Sequence, residues 1–301
     1  MKLAVTGGTG FVGGRLLAMA ADGPYSIKAL TRRPQPTRER VDWVEGSLSD
    51  RDTLHQLVHD ADAVIHIAGV VNAPDADAFA AGNVSGTLCL LAAATAAGVR
   101  RFVHVSSLAA RKPELSLYGA SKAEGERLVT GSGLDWAVVR PPAVYGPGDR
   151  DMLELFKAAK ARIMPLPPEG RLSLIHADDL VRLLLRLAHP RAPSRVVYEP
   201  DDGHVGGYSH NEFARAIAAA SGRRALTFNV PPALLRTGAR IDRLLRRDRA
   251  RLTPDRANYF CHPDWVSDPE RKPPPELWTP QISSSEGLAQ TARWYRAQGW
   301  L

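Results

Sequence analysis

The chain has 301 residues, enough to bury one large α/β core with an added lobe, and its two cysteines, Cys89 and Cys261, exclude a disulfide-built fold and suggest a reducing compartment, the cytoplasm. The net charge of +7 is largely one segment: residues 233–252 hold seven arginines (236, 240, 243, 246, 247, 249 and 251) against Asp242 and Asp248, so no nucleic-acid partner is expected. The apolar start Met1–Val5 is too short for a signal peptide and no later apolar run approaches the roughly 20 residues of a membrane span, so a soluble protein is expected.

A strand is predicted near 2–6, followed by Thr6-Gly7-Gly8-Thr9-Gly10-Phe11-Val12-Gly13 and a helix over 11–21. Further strands are predicted near 26–31, 41–44, 63–67, 101–106, 135–140 and 195–199. Between them, helical spacing covers 50–59, 83–97, 118–131 and 150–161, with Gly98 and Gly131 as stops. Apolar strands alternating with crossover helices predict a doubly wound parallel Rossmann sheet of the α/β class, with a smaller, mainly helical C-terminal substrate lobe. The expected boundaries are 1–161 for the cofactor-binding domain, with return segments at about 172–200, and 162–171 plus 201–301 for the lobe.

The glycine turn sits between a strand and a helix, where the backbone must turn tightly and approach a pyrophosphate with no Cβ in the way. The helix N-terminus then offers free N–H groups to the anion. Gly7, Thr9, Gly10, Phe11, Val12 and Gly13 are therefore candidate cofactor contacts. Two glycine frames fit, Gly8/Gly10/Gly13 and Gly7/Gly10/Gly13, and the pattern does not choose between them. About 20 residues on, where an NAD-selective site places an acid, the chain has Thr31-Arg32-Arg33. A guanidinium fork at Arg32, a second charge at Arg33 and a hydroxyl donor at Thr31 suit a ribose 2′-phosphate, so NADP(H) is favoured over NAD(H). The competing reading is two solvated loop arginines.

Tyr118-Gly119-Ala120-Ser121-Lys122 opens a helical segment, so the i,i+4 spacing puts the phenol and the ammonium on one face. The cation favours the phenolate and brings Tyr118 towards use as a proton donor and acceptor. The segment follows the strand ending Val105-Ser106-Ser107, on the side where doubly wound sheets bind ligands.

TGGTGFVG, VSS, YGASK and RPPAVYGPGD, in that order, make residues 1–200 similar to the extended branch of the short-chain dehydrogenase/reductase superfamily, the NAD-dependent epimerase/dehydratase-like proteins. The resemblance implies Tyr118 as general acid/base, Lys122 on the nicotinamide ribose, and Ser107, with Ser106 as the fallback, polarising the substrate oxygen. It also implies Asn83 as the supporting asparagine, Ala68 and Gly69 as a cofactor-lining turn, and Pro141 and Val144 closing over the nicotinamide. Ser47 and Leu48 occupy the adenine-contact positions, with Ser47 where the family usually has aspartate. The short interval from Ser107 to Tyr118 leaves little chain for a substrate loop there.

An oxidoreductase moving hydride between the nicotinamide and a carbonyl or secondary alcohol of a small-molecule substrate is the leading expectation. A nucleotide-sugar epimerase or dehydratase, and a catalytically quiet NADP(H)-binding subunit or redox sensor, are the alternatives. The resemblance suggests a monomer or homodimer. Residues 233–252 read as an amphipathic basic helix, expected to pack its leucines on the domain and solvate its arginines. Contact with an anionic membrane or an acidic substrate is the other reading. Trp265, Trp278, Trp294 and Trp300 read as packing anchors, and His104 and His176 as ordinary hydrogen-bonded histidines.

Overall fold

Short runs of Val, Ile, Leu and Ala favour strands buried on both faces, and the computed structural model, which describes residues 1–246 and 252–301, shows this arrangement. Along the chain come β1 (Lys2–Thr6), α1 (Phe11–Ala21), β2 (Ser26–Thr31), β3 (Val41–Glu45), α2 (Arg51–Val58), β4 (Ala63–His66), α3 (Ala76–Ala80), α4 (Gly86–Ala96), β5 (Arg101–Val105), α5 (Leu117–Thr130) and β6 (Asp135–Val139). Then follow β7 (Ala143–Tyr145), α6 (Leu153–Lys160), β8 (Ile163–Leu166), β9 (Arg171–Leu172), β10 (Leu174–His176), α7 (Ala177–Ala188) and β11 (Val196–Tyr198). The rest are β12 (Tyr208–Ser209), α8 (His210–Ala220), β13 (Leu226–Asn229), α9 (Pro232–Arg246), α10 (Pro254–Phe260), β14 (Asp264–Trp265) and α11 (Ser284–Ala297).

Seven strands form one parallel sheet in the order β11-β6-β5-β4-β1-β2-β3, with Thr6 of β1 in register with His66 of β4. The winding reverses between β1 and β4, and that reversal opens a crevice at the carboxyl ends of the strands. The first compact unit comprises Met1–Pro141, Leu180–Glu199 and Pro273–Thr279. One core of this unit gathers Leu54, Leu57, Val64, Leu90, Phe102 and Val138.

The second unit comprises Pro142–Asp179, Pro200–Lys272 and Pro280–Leu301. It therefore takes in 142–161, which the sequence reading put in the first domain. The reason is burial: Tyr145, Phe156 and Ala159 share a core with Phe213, Ile217, Leu288 and Tyr295. Besides its helices this unit holds three small sheets, β10-β7, β12-β9-β14 and β13-β8. Trp265 is buried here and Trp278 in the first unit, and Trp294 and Trp300 pack edge to face with ring centroids 4.9 Å apart.

Two expectations change. The helix expected over 83–97 is longer, because a π-helical turn at Ala81–Ser85 joins α3 to α4 and makes one 21-residue helix, Ala76–Ala96. Its length and composition would suffice to cross a bilayer, but Thr87, Leu90 and Ala94 are fully buried and α4 packs on α2 and α5, the position of a core helix. The basic segment also departs from expectation: in α9 only Ala239 is buried, while Leu234, Ile241, Leu244 and Leu245 are exposed. Arg247, Arg249 and Arg251 lie outside the described residues.

A buried chain of ion pairs ties the carboxyl ends of the strands together. Arg140, just after β6, pairs with Glu126 of α5 (Nη2–Oε2 2.6 Å) and with Glu199, just after β11 (Nη1–Oε1 3.3 Å). Glu199, with a side chain fully shielded from solvent, also pairs with Arg111 at 3.2 Å. Removing one partner of such a network strands a charge out of water. Glu199→Ala is therefore expected to lower stability by about 3–5 kcal/mol in urea denaturation, and Glu199→Gln by clearly less. A loss within about 0.5 kcal/mol for Glu199→Ala would show that the network carries no weight.

Candidate active site

The phosphate turn follows from glycine sterics. Gly7 has φ +76°, and a Cβ there would stand 2.6 Å from the backbone nitrogen of Ala68. A Cβ on Gly13 would collide with the carbonyl of Gly7, so α1 can close on the turn only because Gly13 has none, while the bare Gly7 lets the turn lie against Ala68. Gly10 is the exposed N-cap of α1 and makes no side-chain cap bond. The first-turn N–H groups therefore have no capping side chain, which suits an anionic group. Gly8 is instead buried against Leu17, so the structure selects the Gly7/Gly10/Gly13 frame. Thr9 is exposed beside Gly10, and Phe11 and Val12 are half-buried at the start of α1. The cradle fits a dinucleotide pyrophosphate.

Arg32 and Arg33 are both exposed immediately after β2, the neighbour of β1. Thr31 is buried, and its hydroxyl donates to the Arg33 carbonyl at 2.7 Å, so it shapes the turn rather than offering the free donor expected of it. Ser47 Oγ lies 2.8 Å from Ser49 Oγ, and the Leu48 side chain packs against Gly86 and the core.

Lys122, on α5, is buried, and its ammonium donates to the carbonyl of Val105 at the end of β5, 2.7 Å away. Burial pulls its pKa down from 10.5 to about 8. Gly69 lies against it, since a Cβ there would be 3.5 Å from Lys122 Nζ and 3.1 Å from Asn83 Oδ1. Asn83 sits in the π-helical turn, where it accepts from Val70 N (2.6 Å) and donates to Val70 O and Ser121 Oγ (both 2.9 Å). It thus holds the Ala68–Val70 loop to the tyrosine-bearing helix.

The start of α5 is fixed by Ser116, whose hydroxyl caps Gly119 N at 2.9 Å, and Tyr118 follows, half-buried with its ring 6.2 Å from Phe79. The two serines after β5 differ. Ser106 is buried and donates to Glu126, whereas Ser107 is half-exposed and caps a short 3-10 turn by accepting from Ala109 N at 3.2 Å. That leaves the Ser107 hydroxyl proton for another acceptor. Pro141 is buried, and its carbonyl accepts from Leu108 N at 3.2 Å. Val144 is half-buried on β7, paired with Ile175 in the second unit.

Beneath this layer, Thr6 Oγ1 accepts from Ala68 N and lies 2.6 Å from His66 Nδ1, while His66 Nε2 lies 2.9 Å from Thr87 Oγ1. Burial, with the nearby Lys122 charge, pushes His66 down to about 3 and His104 well below its usual range, so both rings are neutral. His104 was expected to be hydrogen-bonded, yet among the described residues neither ring nitrogen has a partner.

The sequence reading missed Glu126 and Ser121, and it gave Arg140 no role beyond its place in the RPPAVYGPGD motif. Glu126 lies one turn beyond Lys122 on the same face of α5, a signal that spacing did offer. The Arg140–Glu199 pair had none, being 59 residues apart.

Residues 3–198 match the NAD dependent epimerase/dehydratase family. The chain belongs to that family. It is 35% identical to a ceramide reductase of Caulobacter vibrioides, over 99% of this chain and 96% of the relative. It is 30% identical to a 4-hydroxy-2-methyl-3-oxo-4-farnesyl-3,4-dihydroquinoline-1-oxide ketoreductase of Stigmatella aurantiaca, over 82% of this chain and 81% of the relative. The solved structure of MoeE5 with UDP-glucose and NAD is similar at TM-score 0.74 and 25% identity, covering 99% of both chains. As a member of this family the protein is an NAD(P)-dependent oxidoreductase.

The Lys122 shift has a measurable consequence. Below about pH 8 the folded and unfolded chains both carry the proton, and the full cost of burying the charge, roughly 3 kcal/mol, is present. Between about 8 and 10.5 only the unfolded chain keeps it, so stability rises with pH across that window. Lys122→Met is expected to stabilise the cofactor-free protein at pH 7 by about 1–2 kcal/mol, net of the bond lost at Val105 O. The gain should shrink as pH approaches 10, and denaturant titrations at several pH values would show it. A variant less stable than wild type at pH 7 would contradict this.

Proposed function

We propose that the chain is an NADPH-dependent ketoreductase whose substrate carbonyl belongs to a long-chain, lipid-like molecule. The observation that carries the catalytic part is the buried Lys122 ammonium at the end of β5, flanked by Gly69 and on the Tyr118 face of α5. Bound nicotinamide supplies the hydride. Tyr118 gives its proton to the carbonyl oxygen, and the ammonium one turn along favours the phenolate left behind. Ser107 donates its hydroxyl to the same oxygen. Asn83 holds the Val70 loop and Ser121 in place around them.

The substrate class is supported by the names ceramide reductase and ketoreductase on the relatives at 35% and 30% identity. The nucleotide-sugar reading draws on the UDP-glucose of MoeE5, at 25%. The preference for NADPH is supported by Arg32 and Arg33, exposed after β2 where a 2′-phosphate calls for a planar, permanently charged fork.

Tyr118→Phe is expected to lower kcat for NADPH-driven reduction of a long-chain ketone by about 10²–10⁴-fold while leaving NADPH affinity unchanged. Full activity in that variant would show that Tyr118 is not the proton donor. Arg32→Ala is expected to weaken NADPH binding ~10- to 100-fold in calorimetry, with NADH affinity unaltered. Equal affinity for the two cofactors in the wild type would remove the arginine argument.

A further inference from the structure

Helix α9 is amphipathic, but its apolar stripe faces away from the protein. At 100° per residue, Leu234, Ile241 and Leu245 fall within about 40° of one another. They are 64%, 52% and 77% exposed. Leu244, 78% exposed, extends the apolar surface round to Arg240 and Arg236. Helices of soluble proteins turn such a stripe inward, and here the inward side offers only Ala239 and half-buried Leu235.

The chain leading into α9 also exposes apolar and basic residues. Strand β13, which leads directly into α9, pairs with β8, and the ribbon exposes Ile163, Leu226 and Phe228 while Met164 and Leu166 fill the core. Beside it, the Leu226 amide bonds to the Arg162 carbonyl at 2.9 Å, and Arg162, Arg223 and Arg224 line a hollow of about 420 Å³.

We propose that the exposed stripe of α9 docks on an anionic lipid membrane. The exposed leucines and isoleucine enter the acyl boundary, and the arginines meet lipid phosphates. A second copy of the chain fits less well. Helix α9 carries Arg236, Arg240, Arg243 and Arg246 against Asp242 alone, so a twofold contact would set two helices of net charge +3 side by side. An anionic surface turns the same charge into attraction. The proposal stands on α9 and its neighbours and is independent of the substrate, although an enzyme acting on a bilayer lipid would gain from it.

The test is flotation of the full-length protein with phosphatidylcholine vesicles, with and without about one-third phosphatidylglycerol. Wild type is expected to float with the anionic vesicles, to stay behind with the neutral ones, and to be released as salt rises to about 0.5 M. Ile241→Ser with Leu245→Ser, and separately Arg236→Glu with Arg240→Glu, should each lower the partition coefficient at least about tenfold. All four positions are exposed, so both variants should melt as wild type does. Three results would overturn the proposal: no wild-type flotation on anionic vesicles, flotation unchanged in both double variants, or a wild-type dimer that Ile241→Ser with Leu245→Ser makes monomeric in sedimentation velocity.

Discussion

The run of charges Arg111–Glu199–Arg140–Glu126 is the constraint on which the geometry of the candidate site depends. Glu126 also holds Ser106, so one carboxylate links α5, the end of β5 and the end of β6. Glu199 brings the end of β11 into the same network. Strand ends are where a parallel sheet is least held by its own ladder, and they are where a doubly wound fold places its chemistry. Buried pairs of this kind contribute little net stability over an apolar core, but they fix one arrangement, because any other leaves a charge stranded. Ser107 and the face of α5 bearing Tyr118 and Lys122 are held in relation to each other by that network.

Lys122 shows the cost of such a site. A buried ammonium with one carbonyl partner is less stable than a hydrocarbon would be, and the neutral histidines below it add dipoles but no countercharge. The same burial brings its pKa close to neutrality and leaves a proton-bearing group in a low-dielectric setting on the helix that carries Tyr118. Local instability of this kind marks functional centres more often than packing errors. The glycine turn shows a milder form, since a helix N-terminus left without a capping side chain awaits an anion.

The second unit has its own core, built from Tyr145, Phe156, Phe213, Leu288 and Tyr295. A unit able to fill a core this way has no need to expose leucines, so the outward stripe of α9 calls for an explanation outside the core. The proposed membrane docking would account for the apolar and the basic residues together.

The sequence by itself determined whatever depends on short-range spacing. Alternating apolar runs marked the seven strands of the sheet, and the glycines between strand and helix, Gly7 to Gly13, marked the phosphate turn. The i,i+4 step from Tyr118 to Lys122 put both on one helix face. These are properties of a few consecutive residues, and the backbone has few ways to realise them. Only the tertiary structure decided which glycine frame operates, that Ser106 is held while Ser107 keeps a free proton, and that Arg140 finds Glu199 59 residues away. It also decided which way α9 faces, because an amphipathic pattern states that a helix has two sides and does not state which side meets the protein. Single residues far apart in sequence carry no spacing signal, so their pairing is settled only when the chain has folded around them.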